Sequence, residues 1–249
     1  MPTPRPKFDA PVESVQEPSQ TPHSETSVEA RMGVPPVIHQ IACPALRTGQ
    51  VRGKLLAPVH DGACGSDSPL QIEAVSEVKL TGEPLSTCAM AEGLAAMSEA
   101  AKKAAQDILG TELAAIVTGP GYECRRRNRA ATGKLSEHAF ANALDIAGFK
   151  LADGRQVTVE ADWPHLPPAE PLAEPAAEGE EAPTNDEAKP APASERAATP
   201  EAKFLVAVRD AACGIFTTVL SPDSNTAHHA HLHFDLGCHG RDCTYLICE

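Results

Sequence analysis

Residues 136–163 read SEHAFANALDIAGFKLADGRQVTVEADW, and two patterns overlap in them. In the second half, the runs ALDIAGFKL and QVTVEADW flank an ADGR turn, which predicts a hairpin in one antiparallel sheet. In the first half, His138 precedes Asp145 by seven residues across a run of small side chains. A tight turn entering a strand lets both side chains point into one cleft. Zinc takes imidazole nitrogen and carboxylate oxygen at about 2.0 to 2.2 Å, so a third ligand from elsewhere completes a catalytic set with one open position.

Candidates for that third ligand lie about ninety residues later. Four of the ten histidines, His228, His229, His231 and His233, fall within six residues, and HLHFDL reads as a strand of alternating polarity. Side chains two apart on a strand share a face, so either His231 or His233 can bind metal while the other acts as acid, base or oxyanion donor. His228 is close enough to line the same cleft. Taken singly, His138 reads as a core histidine, Asp145 as a turn residue and the histidine run as a solvated tract. Taken together they favour a metal site.

Around this motif the chain divides by composition. Residues 1–36 are rich in Pro, Ser, Glu and Thr and read as a disordered tail. From Val37, IHQIACPAL, Val59, Cys64 and LQIEAVSEVKL predict short strands and turns. Ser86 or Thr87 caps a helix running to about Leu109, with Leu94, Met97, Ala101, Ala104, Ala105 and Ile108 on its buried face and Gly110 at its end. Residues 164–200 form an acidic insertion of Pro, Ala and Glu, read as an extended solvated loop. Thr199 then caps a second helix, with Pro200 in its first turn and an apolar face running from Phe204 to Phe216. Setting aside 1–36 and 164–200 leaves roughly 165 to 175 residues, which suits one domain, 37–249.

The net charge of -13 includes -6 from the insertion, where eight acidic residues face two basic ones. Duplex nucleic acid needs a concentrated basic surface and is excluded as a partner. No run approaches 18 apolar residues, so no membrane-spanning helix is expected. Only six Phe, two Tyr and one Trp are present, which makes a thin core. All eight cysteines lie in the parts read as folded, which predicts four disulfides and an oxidising compartment, periplasmic or extracellular. No CxxC pair is present, which argues against a zinc ribbon. The N-terminus MPTPRPKFDAPVESVQEP carries no apolar run of the signal-peptide kind, so the export route is not visible in it.

SEHAFANALDI followed by HHAHLHFDL, with GYECRRRN, DIAGFKLADG and the final cysteines, resembles the bacterial extensin-like C-terminal domain family. That family is similar to the LAS group of zinc peptidases, named for lysostaphin, D-alanyl-D-alanine carboxypeptidase and sonic hedgehog. The resemblance implies an α+β fold, a small antiparallel sheet with helices packed on it around a LAS-like core, stapled by disulfides. It implies His138, Asp145 and His233 as zinc ligands, His231 as catalytic partner, His228 as a second catalytic histidine in the cleft, and Arg125 as the cation that holds a substrate carbonyl or carboxylate. One departure is Ala141, where the pattern usually has glycine. Arg126, Arg127 and Arg129 read instead as a solvated charge run.

By the same resemblance, Cys43 pairs with Cys64 and Cys124 with Cys213. Proximity then suggests Cys238 with Cys243, leaving Cys88 for Cys248. The function implied is a zinc-dependent peptidase or amidase, acting as a monomer on peptide crosslinks of bacterial peptidoglycan. The alternative is a catalytically inactive wall-binding or structural module that the metal merely stiffens.

Overall fold

A computed structural model describes residues 43–164 and 199–249. The tail, the start of the stretch of strands and turns expected from Val37, and all but the borders of the acidic insertion lie outside the described residues.

Cys43 immediately precedes a short helix α1 (Pro44–Thr48), which begins at a proline and stops at Gly49 in the left-handed conformation. A helix therefore stands where strands and turns were expected, because proline at the first helical position needs no amide partner. There follow β1 (Val51–Leu55), the two-stranded ribbon β2 (Val59–Asp61) and β3 (Cys64–Ser66), then β4 (Leu70–Val75), β5 (Val78–Thr81) and β6 (Leu85–Ser86). Thr87 caps α2 (Cys88–Ala104) by accepting from the Met90 amide. A π-helical turn over Ala105–Leu109 extends it to Gly110, as the sequence predicts.

After β7 (Leu113–Thr118) come β8 (Ala143–Leu151) and β9 (Gln156–Thr158), the predicted hairpin, then a helical turn α3 (Val159–Asp162). Thr199 caps α4 (Pro200–Cys213), accepting from the Ala202 amide, and the chain ends with β10 (Thr218–Leu220), β11 (Leu232–Asp235) and β12 (Ile247–Cys248). The second helix stops at Cys213; Ile215 and Phe216 pack against the core from beyond its end.

The fold is α+β, but the sheet is larger than expected and mixed. Ten strands run in the order β1-β4-β5-β7-β8-β11-β10-β12, with β6 on β4 and β9 on β8. Two pairs, β5 with β7 and β10 with β12, are parallel and the rest antiparallel. The parallel β5–β7 pair follows from α2, whose crossover returns the chain in the same direction.

Leu144, Ile146 and Phe149 of β8 and Leu232 and Phe234 of β11 join the core that includes Leu94 of α2 and Phe204 and Leu205 of α4. Strand alternation would send Ile146 and Phe149 to opposite faces. The register with β7 slips between Val117 and Thr118, passing over Ala147, and this bulge turns both to the core side. Asp145 is left facing away from the helices.

All eight cysteines are paired, as Cys43–Cys88, Cys64–Cys124, Cys213–Cys248 and Cys238–Cys243. Of the expected pairs only Cys238–Cys243 is present. Cys43–Cys64, Cys124–Cys213 and Cys88–Cys248 are replaced because α1 lies on α2, the β2–β3 ribbon lies beside Cys124, and β12 docks parallel to β10 near the end of α4. Non-reducing peptide mapping should recover these four pairs. Closing loops with separations of 45 and 60 residues, Cys43–Cys88 and Cys64–Cys124 should each cost about 2 to 5 kcal/mol when replaced by serine pairs, read by denaturant melts. Among the described residues no helix is long and apolar enough to cross a membrane.

Candidate metal centre

The centre is built on a cross-strand register. β11 pairs antiparallel with the first half of β8, and in that register His233 stands directly opposite Asp145. Opposed residues on one face of a sheet hold their Cβ atoms about 4.5 to 5.5 Å apart, close enough for both side chains to reach one point.

His138 arrives from a different direction, on the 3-10 turn Glu137–Phe140 that precedes β8. The turn ends at Ala141 with φ of 54°, the left-handed conformation that the usual glycine adopts freely. Alanine pays about 1 to 2 kcal/mol there. The turn is held because the Ala141 amide donates to the His138 carbonyl and the Ser86 hydroxyl donates to the Ala141 carbonyl.

The Nε2 of His138 lies 3.2 Å from Asp145 Oδ1 and 3.2 Å from His233 Nδ1, and His233 Nδ1 lies 2.9 Å from Asp145 Oδ1. The other ring nitrogens fix the tautomers. His138 Nδ1 is 2.6 Å from the Gly121 carbonyl, an acceptor only, so it carries the proton and Nε2 presents a lone pair. His233 Nε2 is 3.0 Å from Asp235 Oδ2 and donates to it, so that the proton a metal displaces is the one on Nδ1, whose lone pair then points inward. Three electron-rich atoms therefore converge with an acceptor behind each ring, as in carboxylate–histidine–metal arrays.

Four tetrahedral ligands at about 2.0 to 2.1 Å from a zinc ion sit about 3.3 Å apart, close to the spacing found here. The two-nitrogen, one-oxygen donor set fits a borderline divalent cation. Gly121 is positioned by a close approach to β6, since a Cβ on it would meet the Leu85 carbonyl oxygen at 2.1 Å.

Electrostatics favours a cation at this point. Burial alone would raise the Asp145 carboxyl, but the His138 and His233 rings outweigh it and hold it far below the usual carboxylate range. Burial would lower His233, yet its contacts with Asp145 and Asp235 win and push it up to about 9.

In metal-free protein, a folded value above the ordinary 6.5 adds stability that is complete below about pH 6.5 and is lost as pH rises through about 9. A metal needs the unprotonated Nδ1, so its apparent affinity should climb with pH over the same window. Melts with and without zinc at several pH values should show metal stabilisation growing as the metal-free protein weakens.

The remaining predicted residues lie around the triad. His231 Nε2 stands 3.6 Å from Asp145 Oδ1, just before β11. His228, in the 3-10 turn Thr226–His228, packs its ring 5.2 Å from that of His231 and 5.6 Å from that of His233. Burial, reinforced by the charges on His233 and His231, pushes His228 down to about 4. Burial also lowers His231, against the pull of Asp145, so both rings are neutral near pH 7. Arg125 donates from Nε to Glu123 at 2.8 Å and brings a terminal nitrogen to 4.0 Å from Asp145 Oδ2.

The chain matches the family described as Extensin-like protein C-terminus over residues 42–178 and 187–249. It belongs to that family. No curated protein and no solved structure matches the chain. Within this extensin-like domain the triad is drawn from residues 138, 145 and 233, which the family match spans.

Three partners in the extensin-like site were not anticipated from sequence. Asp235 is two residues past His233 in HLHFDL and shares its face, a signal that strand parity could have supplied. The Gly121 carbonyl and Glu123 carry no such signal, because main-chain acceptors and salt-bridge partners leave no periodicity. Asp235 also accepts from the Gly237 amide at 2.8 Å. Asp235→Ala should weaken metal binding about 10- to 100-fold while the triad stays in place, measured by chelator competition.

Proposed function

We propose that this domain is a zinc-dependent peptidase or amidase that cuts peptide crosslinks of bacterial peptidoglycan outside the cytoplasm. The observation that carries this is the convergence of His138 Nε2, Asp145 Oδ1 and His233 Nδ1 beside a cavity of about 210 Å³. Three protein ligands and an accessible side are the pattern of catalytic zinc sites; structural sites close all four positions. The likeness of His138, Asp145 and the His231-x-His233 pair to the LAS signature supports the same reading. Four disulfides suit work in an oxidising compartment.

His138, Asp145 and His233 would hold the zinc, whose chemistry there would be Lewis-acid activation of water and of the scissile carbonyl. The chain's own groups do the rest. The Gly121 carbonyl and Asp235 lock the two ligand imidazoles in the tautomers that bind. His231, neutral near pH 7 and half-buried, takes or returns a proton beside Asp145. His228 lines the same cleft. Arg125, braced by Glu123, faces the reacting carbonyl with one terminal nitrogen.

The test is digestion of purified peptidoglycan by the zinc-loaded chain, with muropeptides read by mass spectrometry and His138→Ala as control. Release of shortened or uncrosslinked stem peptides by the wild type alone supports the reading. Stoichiometric zinc with no product at any pH overturns it in favour of an inactive, metal-stabilised wall module.

A further inference from the structure

The cavity beside the triad is lined by Arg125, Arg127, Asn128, Asn225, His228 and His233, among others. Four arginines crowd the loop that forms this wall, and three are already engaged. Arg125 is held by Glu123. Arg129 makes two bonds to the same Glu123, at 2.7 and 3.0 Å, and the Arg126 guanidinium donates to the Gly133 carbonyl. The exposed Arg127 guanidinium has no hydrogen bond or ion pair with any described residue. The solvated charge run expected from sequence thus contains one cation that fronts the cavity with its whole fork available.

The backbone beside it is strained. Asn128 (φ 51°) and Arg129 (φ 54°) are consecutive non-glycine residues in the left-handed region. Such strain persists where the surroundings over-determine it, and it clusters at ligand clamps. Here it is fixed by the Arg129–Glu123 pair, the Arg126–Leu135 bridge and the Arg127 amide donating to the Lys134 carbonyl. Neither carboxylate lining the cavity pairs with Arg127: Glu137 keeps its charge and accepts from the Asn142 amide group, and Asp235 accepts from His233 and Gly237. In a chain of net charge -13, this mouth offers a guanidinium with no ion-pair partner among the described residues.

We infer that Arg127, with Asn128 beside it, forms a subsite that binds a carboxylate of the peptide substrate. The inference rests on the proposed peptidase reading and deepens it: the substrate is an acidic peptide, held by a planar guanidinium fork suited to bidentate carboxylate binding. Arg125, committed to Glu123, serves the reacting carbonyl, and Arg127 sets the specificity.

The test uses the zinc-loaded full chain and three probes measured by calorimetry: acetyl-Ala-Ala with a free C-terminus, its C-terminal amide, and acetyl-Ala-Glu amide. The expected result is that wild type binds at least one of the two acids about tenfold or more tighter than the neutral amide. Which acid is preferred distinguishes a C-terminal from a side-chain carboxylate. Arg127→Gln should bring the ratio close to one, and Arg127→Lys should keep part of it, with zinc content and melting unchanged in both. The inference is overturned if no probe binds, if wild type has no acid preference, or if the preference survives in Arg127→Gln. Survival there with loss on zinc removal assigns the carboxylate to the metal instead. Acid preference without muropeptide release sinks the peptidase and keeps the subsite; release without acid preference does the reverse.

Discussion

Alanine in place of His138, Asp145 or His233 is expected to abolish stoichiometric zinc binding. Each side chain supplies one of three mutually close donor atoms, and two donors without the third leave the ion mostly to water. With zinc a thousandfold above its dissociation constant, wild type gains about 4 kcal/mol of stability by linkage. The three variants should gain almost none of it. Measuring metal content by mass spectrometry and melting with and without zinc separates this loss from a general packing defect, since a packing defect lowers both melts together. Asp145→Asn, which keeps the shape and removes the charge, serves as a second variant. Retention of one tightly bound zinc by any alanine variant would remove that residue from the ligand set.

The second large effect is expected at His231. Its Nε2 sits 3.6 Å from Asp145 Oδ1, farther than any distance within the triad, and its ring keeps an exposed edge. Burial holds the ring neutral near pH 7, which is the form that can accept a proton. His231→Ala should therefore keep the metal and nearly native melting while losing turnover by about a hundredfold or more, the size typical of a general acid–base or oxyanion group. Loss of zinc together with activity would instead place His231 among the ligands. Parallel assays of zinc content and peptidoglycan hydrolysis on wild type, His138→Ala and His231→Ala separate the two roles.

Strong local signals make much of this molecule legible in its sequence. Thr87, Gly110, Thr199 and Pro200 mark helix ends through their own capping chemistry, and the ADGR turn marks the β8–β9 hairpin. The His138 and Asp145 pair stands out because a seven-residue spacing across small side chains leaves room for two ligands in one cleft. Disulfide pairing is mostly illegible. Only Cys238–Cys243, closed by five residues, depends on local chain reach; the other three depend on which elements pack together. The brace on Arg125 and the freedom of Arg127 are equally invisible, because four arginines within five positions look alike until Glu123 is placed among them.

By itself the sequence determined most of the element types and the oxidised state of the cysteines, and it singled out His138, Asp145 and one of His231 or His233 as candidate ligands, because capping, patterning and side-chain chemistry are local properties. Only the tertiary structure decided that Asp145 faces His233 and not the core. That choice depends on the register of β8 against β11 and on a bulge at Ala147, which let Leu144, Ile146 and Phe149 all pack inward. Register is a balance of hydrophobic burial over the whole sheet, and a one-residue slip would turn every side chain of the strand to the other face.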